Sequence, residues 1–329
     1  MKIMRKFALP LIAAAAMTLG ALPHPAQADE RLEGKKVIFV PIAMGITLTE
    51  GWSRRMKEQS DLFGIEYEVK DAAFNMKAMS ELFAAAINEQ PDIIVAHNPT
   101  VQLLARQIKQ AESKGIKVLQ INLQSNQPST AFVGASWERI GREIAEDIVA
   151  QCGAGSGKSG KVAIIPGQLT AADSVIMNEA AFKVFEEHPE IEVVSNQASD
   201  WEPEKARQIT STVLQQYGDL CAIFGHWGIH TIGAGNAVKD AGKQDDVLVY
   251  ATGGGNREIC NQVENDVIDR YWSYNADGQG RDAATMIRAI LQGAQPPEGQ
   301  MLTIDSPLIV IKKESYSPDQ CWDLPKKEG

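Results

Sequence analysis

The sequence predicts an α/β protein made of two lobes, each a doubly wound parallel sheet. Three observations carry this. Short β-branched runs alternate with longer amphipathic segments, the alternation runs through one series and then restarts near residue 160, and an exported leader leaves roughly 300 residues, enough for two cores of about 130 to 150 each.

The elements follow in order. "MKIMRKF" places Lys2, Arg5 and Lys6 ahead of the apolar run "ALPLIAAAAMTLGAL", and "AQA" (Ala26 to Ala28) offers small residues for cleavage, so residues 1–28 read as a secretory signal peptide. The first cysteine, Cys152, is far from that cut, which leaves no lipid attachment point at the new N-terminus. "KKVIFVPI" is a strand, and the helix after it carries Trp52, Met56 and Phe63 on one side. "IEYEVKDA" precedes the helix "KAMSELFAAAINEQ", "DIIVAHN" precedes "VQLLARQIKQAESKG", and "KVLQINLQ" and "AFVGAS" complete the first series. The second series runs "GKVAIIPG", "AAFKVFEEHP", "IEVVSNQ", "PEKARQITSTVLQQYG", "CAIFGHW", a helix through Ala237, "DVLVYATGGG" and "EICNQVEND".

A formal charge of −10, carried by a chain whose leader is basic, offers no Lys/Arg stripe for phosphates and argues against a nucleic-acid partner. No later apolar run reaches membrane length. Four cysteines in an exported chain favour disulfides, with three possible pairings. Cys152 ends the helix "ERIGREIAEDIVAQC" and Cys221 opens the strand "CAIF"; if both lie on the face opposite the strand C-termini they can meet, leaving Cys260 for Cys321.

In doubly wound sheets ligands bind beyond the carboxyl ends of the strands. Those ends fall at 41–49, 97–100, 122–124, 167–170, 200–201, 225–227 and 253–256, and they are rich in Asn, Gln, Thr, Trp and Gly with few charges. Amides and hydroxyls beside indoles suit a ligand covered in hydroxyl groups. Trp201 and Trp227 would be core residues elsewhere, but each stands just past a strand, where a ring faces the cleft.

Other chemistries lack support. His226 and His230 stand one helical turn apart, yet no third zinc ligand follows at usable spacing, so no metal site is expected. His230 reads as a packed helix residue and His226 as a hydrogen bonder at the cleft. "CGAGSGKSGK" has Cys152 where a phosphate loop needs Gly, and it lies between helix and strand in the wrong order. No G-x-S-x-G or acid/base constellation points to an enzyme, and no cofactor is called for.

These residues together resemble a type I periplasmic solute-binding protein, of the ribose-binding branch that serves ABC sugar transporters. The similarity spans the mature chain through "HNPT" (His97 to Thr100), "FVGASWERIGREIA", "SDWEPEKARQ", "CAIFGHWG", "KDAGKQDDVLVYATGGG" and "DGQGRDAATMIRAILQG". It implies a clamshell with three crossings, near Ala135/Ser136, Tyr274/Asn275 and Ser306/Pro307. Lobe one is then 35–135 plus 275–306, and lobe two is 136–274 plus 307–329, which contains all four cysteines. Asn98 matches the family's binding asparagine and Trp201 its stacking aromatic. Charged family positions appear here as Asn122-Leu123, Asn178 and Gly253, the family's asparagine after "IF" as Trp227, its paired phenylalanines as Leu48 and Thr49, and its hinge glutamine as Tyr274.

The resemblance, so altered, implies a small neutral sugar or sugar alcohol rather than ribose, with a pentose, a deoxy sugar or a short polyol as the fitting classes. Trp201 and Trp227 are its apolar walls, and Asn98, Asn122 and Asn178 its hydrogen-bond partners. His97, Thr49, Gln124, His226 and Tyr274 form a second tier. The implied partner is an ABC permease in the inner membrane, the implied location the periplasm, and the implied state a monomer. The alternative keeps the fold and docks the closed form on a receptor kinase or chemoreceptor.

Overall fold

The computed structural model describes residues 32–325, so the signal peptide expected over 1–28 lies outside the described residues. Two six-stranded sheets organise the chain. The first contains β1 (Lys36–Val40), β2 (Glu66–Val69), β3 (Ile93–Ala96), β4 (Lys117–Ile121), β5 (Ala131–Gly134) and β11 (Leu302–Asp305), in the order β11-β5-β4-β3-β1-β2 and parallel throughout. The second contains β6 (Lys161–Ile165), β7 (Glu192–Asn196), β8 (Ala222–Gly225), β9 (Leu248–Gly253), β10 (Arg270–Ser273) and β12 (Ile309–Lys312), in the order β12-β10-β9-β8-β6-β7.

Period-two alternation within the strands fills two cores per sheet. Val37, Phe39 and Val95 pack with Trp52 and Met56 of α1 (Thr47–Phe63) and Ile287 of α9 (Ala276–Leu291). Ile38, Ile94 and Val118 turn the other way, onto Phe83 of α2 (Met76–Glu89) and Ile108 of α3 (Ala105–Ser113). In the second sheet, Val162, Ile164 and Phe224 meet Ile144 of α4 (Trp137–Cys152) and Met177 of α5 (Ala172–Glu186). Ala163, Ile165 and Ile223 meet Val213 of α6 (Pro203–Gln216), Val238 of α7 (Gly228–Asp240) and Ile259 of α8 (Arg257–Glu264). Each large side chain so buried contributes about 1.5–3 kcal/mol before entropy is counted, and helices on both faces make the expected α/β class the observed one.

The chain leaves the first sheet after β5, returns to it after β10, and leaves it again after β11. The second sheet is not wholly parallel, because β12 runs antiparallel to β10. The reason is topological: β10 ends where the chain departs for the first sheet, and β12 begins where the chain arrives from it. Both ends therefore lie at the same rim.

The cysteines pair as Cys152–Cys221 and Cys260–Cys321, the pairing that strand order suggests. The second bond fixes the tail, whose Trp322 bridges to Asn256 in parallel and donates its Nε1–H to the Gly254 carbonyl at 2.6 Å. The same indole covers Gly51 of α1, where any Cβ would stand 2.6 Å from the ring. Gly51 is thus a close-approach glycine.

Candidate ligand-binding site

Strand ends of the two sheets enclose a cavity of about 550 Å³, within the range of small-molecule sites. At one side the rims touch, the Val101 N–H donating to the Thr170 carbonyl at 3.2 Å.

The second sheet supplies the indoles. Trp201 and Trp227 line the cavity and meet edge to face at 5.9 Å. Asp200 and Trp201 both adopt left-handed backbone (φ 53° and 66°), which lays the Trp201 ring directly over Gly167. A Cβ at 167 would overlap the ring, so the loop after β6 needs glycine there.

His230 holds this arrangement. Its Nε2 accepts the Trp227 N–H at 2.9 Å, so the neutral ring carries its proton on Nδ1, which faces the Ser199 hydroxyl; Ser199 in turn donates to the Pro166 carbonyl at 3.2 Å. The loops after β6, β7 and β8 are linked through one imidazole. Burial pushes its pKa down to about 3, so it stays neutral.

The first sheet supplies polar groups and apolar wall. Asn122, at φ 62°, accepts the Trp137 Nε1–H through its carbonyl at 2.8 Å and the Gln279 amide through Oδ1 at 3.3 Å. Trp137 stands edge-on to Tyr274 at 5.3 Å, and burial holds the Tyr274 phenol protonated. Gln279 accepts from Trp52 at 3.1 Å. Ile42, Leu48, Phe74 and Met76 complete the apolar side.

Three buried polar atoms in the cavity lining lack any partner: Nδ1 of His97, Nε2 of His226 and Oδ1 of Asp173. His97 stands edge-on to Trp52 at 4.9 Å, and His226 packs on Phe224 at 4.7 Å with its Nδ1 3.4 Å from the Ser174 hydroxyl. Burial lowers both imidazoles to about 3. Asp173, in the first turn of α5, is 3% exposed, and burial pushes its carboxyl up to about 7 against the pull of the backbone N–H groups of Ser174 and its own residue. Among the described residues no cluster of three or more His, Cys, Asp or Glu is placed to hold a metal.

A family profile described as periplasmic binding protein domain matches residues 37–295. The chain belongs to the periplasmic binding protein family. It is 32% identical over 124 residues to the D-allose-binding periplasmic protein of Escherichia coli K12, a match covering 38% of this chain and only 39% of that relative. It is 25% identical over 257 residues to the D-ribose/D-allose-binding protein of Pseudomonas aeruginosa, covering 73% and 77% of the two chains. In structure it is similar to a glucose-galactose binding protein from Geobacillus stearothermophilus (TM-score 0.78, 19% identity, 86% and 99% covered). As a periplasmic binding protein it is a solute binder and not an enzyme, of a family that works in the periplasm or outside the cell.

In this periplasmic binding protein, six of the residues singled out from sequence line the cavity together: His97, Asn122, Trp201, His226, Trp227 and Tyr274. Four stand outside the lining. Asn98 is buried behind it, its amide clamped on Gln120 at 2.9 Å and the Leu123 carbonyl at 3.0 Å; Thr49 turns its hydroxyl to the Ile46 carbonyl at 3.3 Å. Asn178, on α5, keeps an unpartnered Oδ1, and Gln124 is half-buried beside the rim.

Sequence reading missed Trp137 and the apolar wall of Ile42, Phe74 and Met76, and it missed Asp173, the one acid of the lining that is buried. Reading the helix of that region from residue 180 hid it; α5 starts at Ala172, which brings Asp173 to the strand-end rim. The legible signal was "TAAD" directly after the β6 loop, since Asp is favoured in a helix's first turn.

Proposed function

We propose that this periplasmic binding protein captures a small polyhydroxylated ligand, a sugar or sugar alcohol, between its two sheets and presents it to an ABC importer. The carrying observation is the set of unpartnered atoms on His97, Asp173 and His226, gathered in a cavity walled by Trp201 and Trp227. Hydroxyl groups both donate and accept, so one polyol can satisfy all three, while its C–H faces lie on the indoles. The names of the allose- and ribose-binding relatives support the same class. The working lobes are 35–135 with 275–306 and 136–274 with 307–329, turning on the crossings at 135/136, 274/275 and 306/307. Ligand touching both lobes favours the closed form by its differential affinity for that form, and the closed form is what the permease reads. Residues 1–28 direct the chain to the periplasm and are removed.

Titration calorimetry against pentoses, hexoses, deoxy sugars and short polyols tests this. At least one is expected to bind below 100 μM, with a loss of tenfold or more in Trp201→Ala. Absence of heat at millimolar concentration across the panel overturns the proposal.

A further inference from the structure

Asp173 is short of something that a neutral hydroxyl does not bring. Buried ionised groups are paired, because an isolated one loses its hydration without gaining a counter-charge. The cavity offers Asp173 no such partner. Among the described residues no lysine or arginine lines it, and its acids number three: Asp173, Asp200 and Glu202. Asp200 is already paired with Lys205, and Glu202 is exposed at the mouth, so Asp173 is the one carboxyl at depth. The titratable neighbours cannot compensate it, since His97 and His226 are held neutral by burial and the Tyr274 phenol is held protonated by the same cause. The walls point the same way: Trp137, Trp201, Trp227 and Tyr274 present rings whose faces attract cations.

Resting on the carbohydrate reading above, we propose that the ligand carries an ammonium group, as an amino sugar or amino polyol does, and that the buried carboxylate of Asp173, whose Oδ1 lacks a partner, is its counter-charge between the aromatic walls. An ammonium supplies both the missing charge and an N–H donor for Oδ1 of Asp173, and the ligand's other N–H and O–H groups are donors for the free ring nitrogens of His97 and His226. Hydroxyls elsewhere on the ligand meet Asn122 and the rim. A carboxyl that binds an ammonium must be ionised, so capture below pH 7 expels the proton that Asp173 otherwise retains.

Matched pairs decide between charge and hydroxyl recognition: glucosamine against glucose, galactosamine against galactose, and 1-amino-1-deoxysorbitol against sorbitol, by calorimetry on the full mature chain at pH 7. The expected result is that at least one amine binds tenfold or more tighter than its neutral mate. In Asp173→Asn the ratio within that pair falls to within threefold, and titrations at pH 6 in buffers of different ionisation enthalpy give close to one proton released per amine bound. Neutral sugars binding as tightly as or tighter than their amines overturns the ammonium claim and leaves the carbohydrate reading standing. No binding by any member of any pair overturns the ammonium claim, whereas the carbohydrate reading is decided by the wider panel of pentoses, deoxy sugars and short polyols. The pairwise comparison on the unaltered chain decides the matter even where Asp173→Asn folds poorly.

Discussion

Both ring nitrogens of His230 are committed, one to the Trp227 N–H and one to the Ser199 hydroxyl, so the residue that sequence spacing pairs with His226 acts on loops and not on a metal. His230→Ala leaves the Trp227 N–H and the Ser199 hydroxyl without their partner and is expected to cost about 1–3 kcal/mol in thermal or denaturant unfolding, with weaker ligand binding because both indoles lose their anchor. The buried ionisable groups give a signed pH dependence. His97, His226 and His230 have folded pKa values lowered to about 3, so their contribution is intact above the unfolded value of about 6.5 and is lost as pH falls below it. Asp173 is raised from 3.8 to about 7; its contribution is fully present below 3.8 and lost as pH rises through 7. Where the windows overlap, three protons taken up by unfolding outweigh one released, so acid destabilises. Asp173→Asn is expected to raise Tm at pH 8, by at most about 4 kcal/mol of stability, with the gain closing by pH 4; an equal gain at both pH values would show that the carboxyl is not strained by burial. Trp201 and Trp227 were legible from their places after strands. Asp173 was not, because no apolar period marks the first two turns of its helix.

At the scale of elements, strands that are β-branched and helices that are amphipathic announced themselves, and β1, β3, β4, β6, β8 and β9 stand where their apolar runs predict. The elements that did not show are those made by partners distant in sequence. β10 is the short, aromatic "RYWS", and β12 acquires its antiparallel sense from the chain's third passage between sheets. The start of α3 differs for a local reason: residues 101–104 form a turn, the Thr100 hydroxyl accepting the Leu103 N–H at 3.1 Å, before the helix begins at Ala105. The loop after β6 is where an element most directly shapes the site. Gly167→Ala must displace the Trp201 ring, so it is expected to cost about 1–3 kcal/mol in stability and at least tenfold in ligand affinity; calorimetry showing unchanged affinity would mean the ring is not a binding wall.

For the whole molecule, family and architecture were readable because order and spacing of many weak motifs agree, whereas the buried carboxyl of Asp173 in the cavity was not, since its place depends on which side chains converge after folding. The tail illustrates the difference. Strand order already leaves Cys321 of "CWDLP" for Cys260, and that bond lies beside the second sheet, but nothing in the sequence announces that Trp322 lies on Gly51 of a helix that covers the first. Any swing of one half against the other therefore drags a flat indole across a bare patch of α1. Gly51→Ala is expected to prop that seam, giving a larger radius of gyration in small-angle scattering with saturating ligand, and Trp322→Ala to relieve it; identical radii in all three chains would show that the seam does not move. If the two halves close on ligand as proposed, a clasp of this kind would set how wide the jaws gape before a meal arrives, and so tune how hungrily the protein binds without touching what it eats.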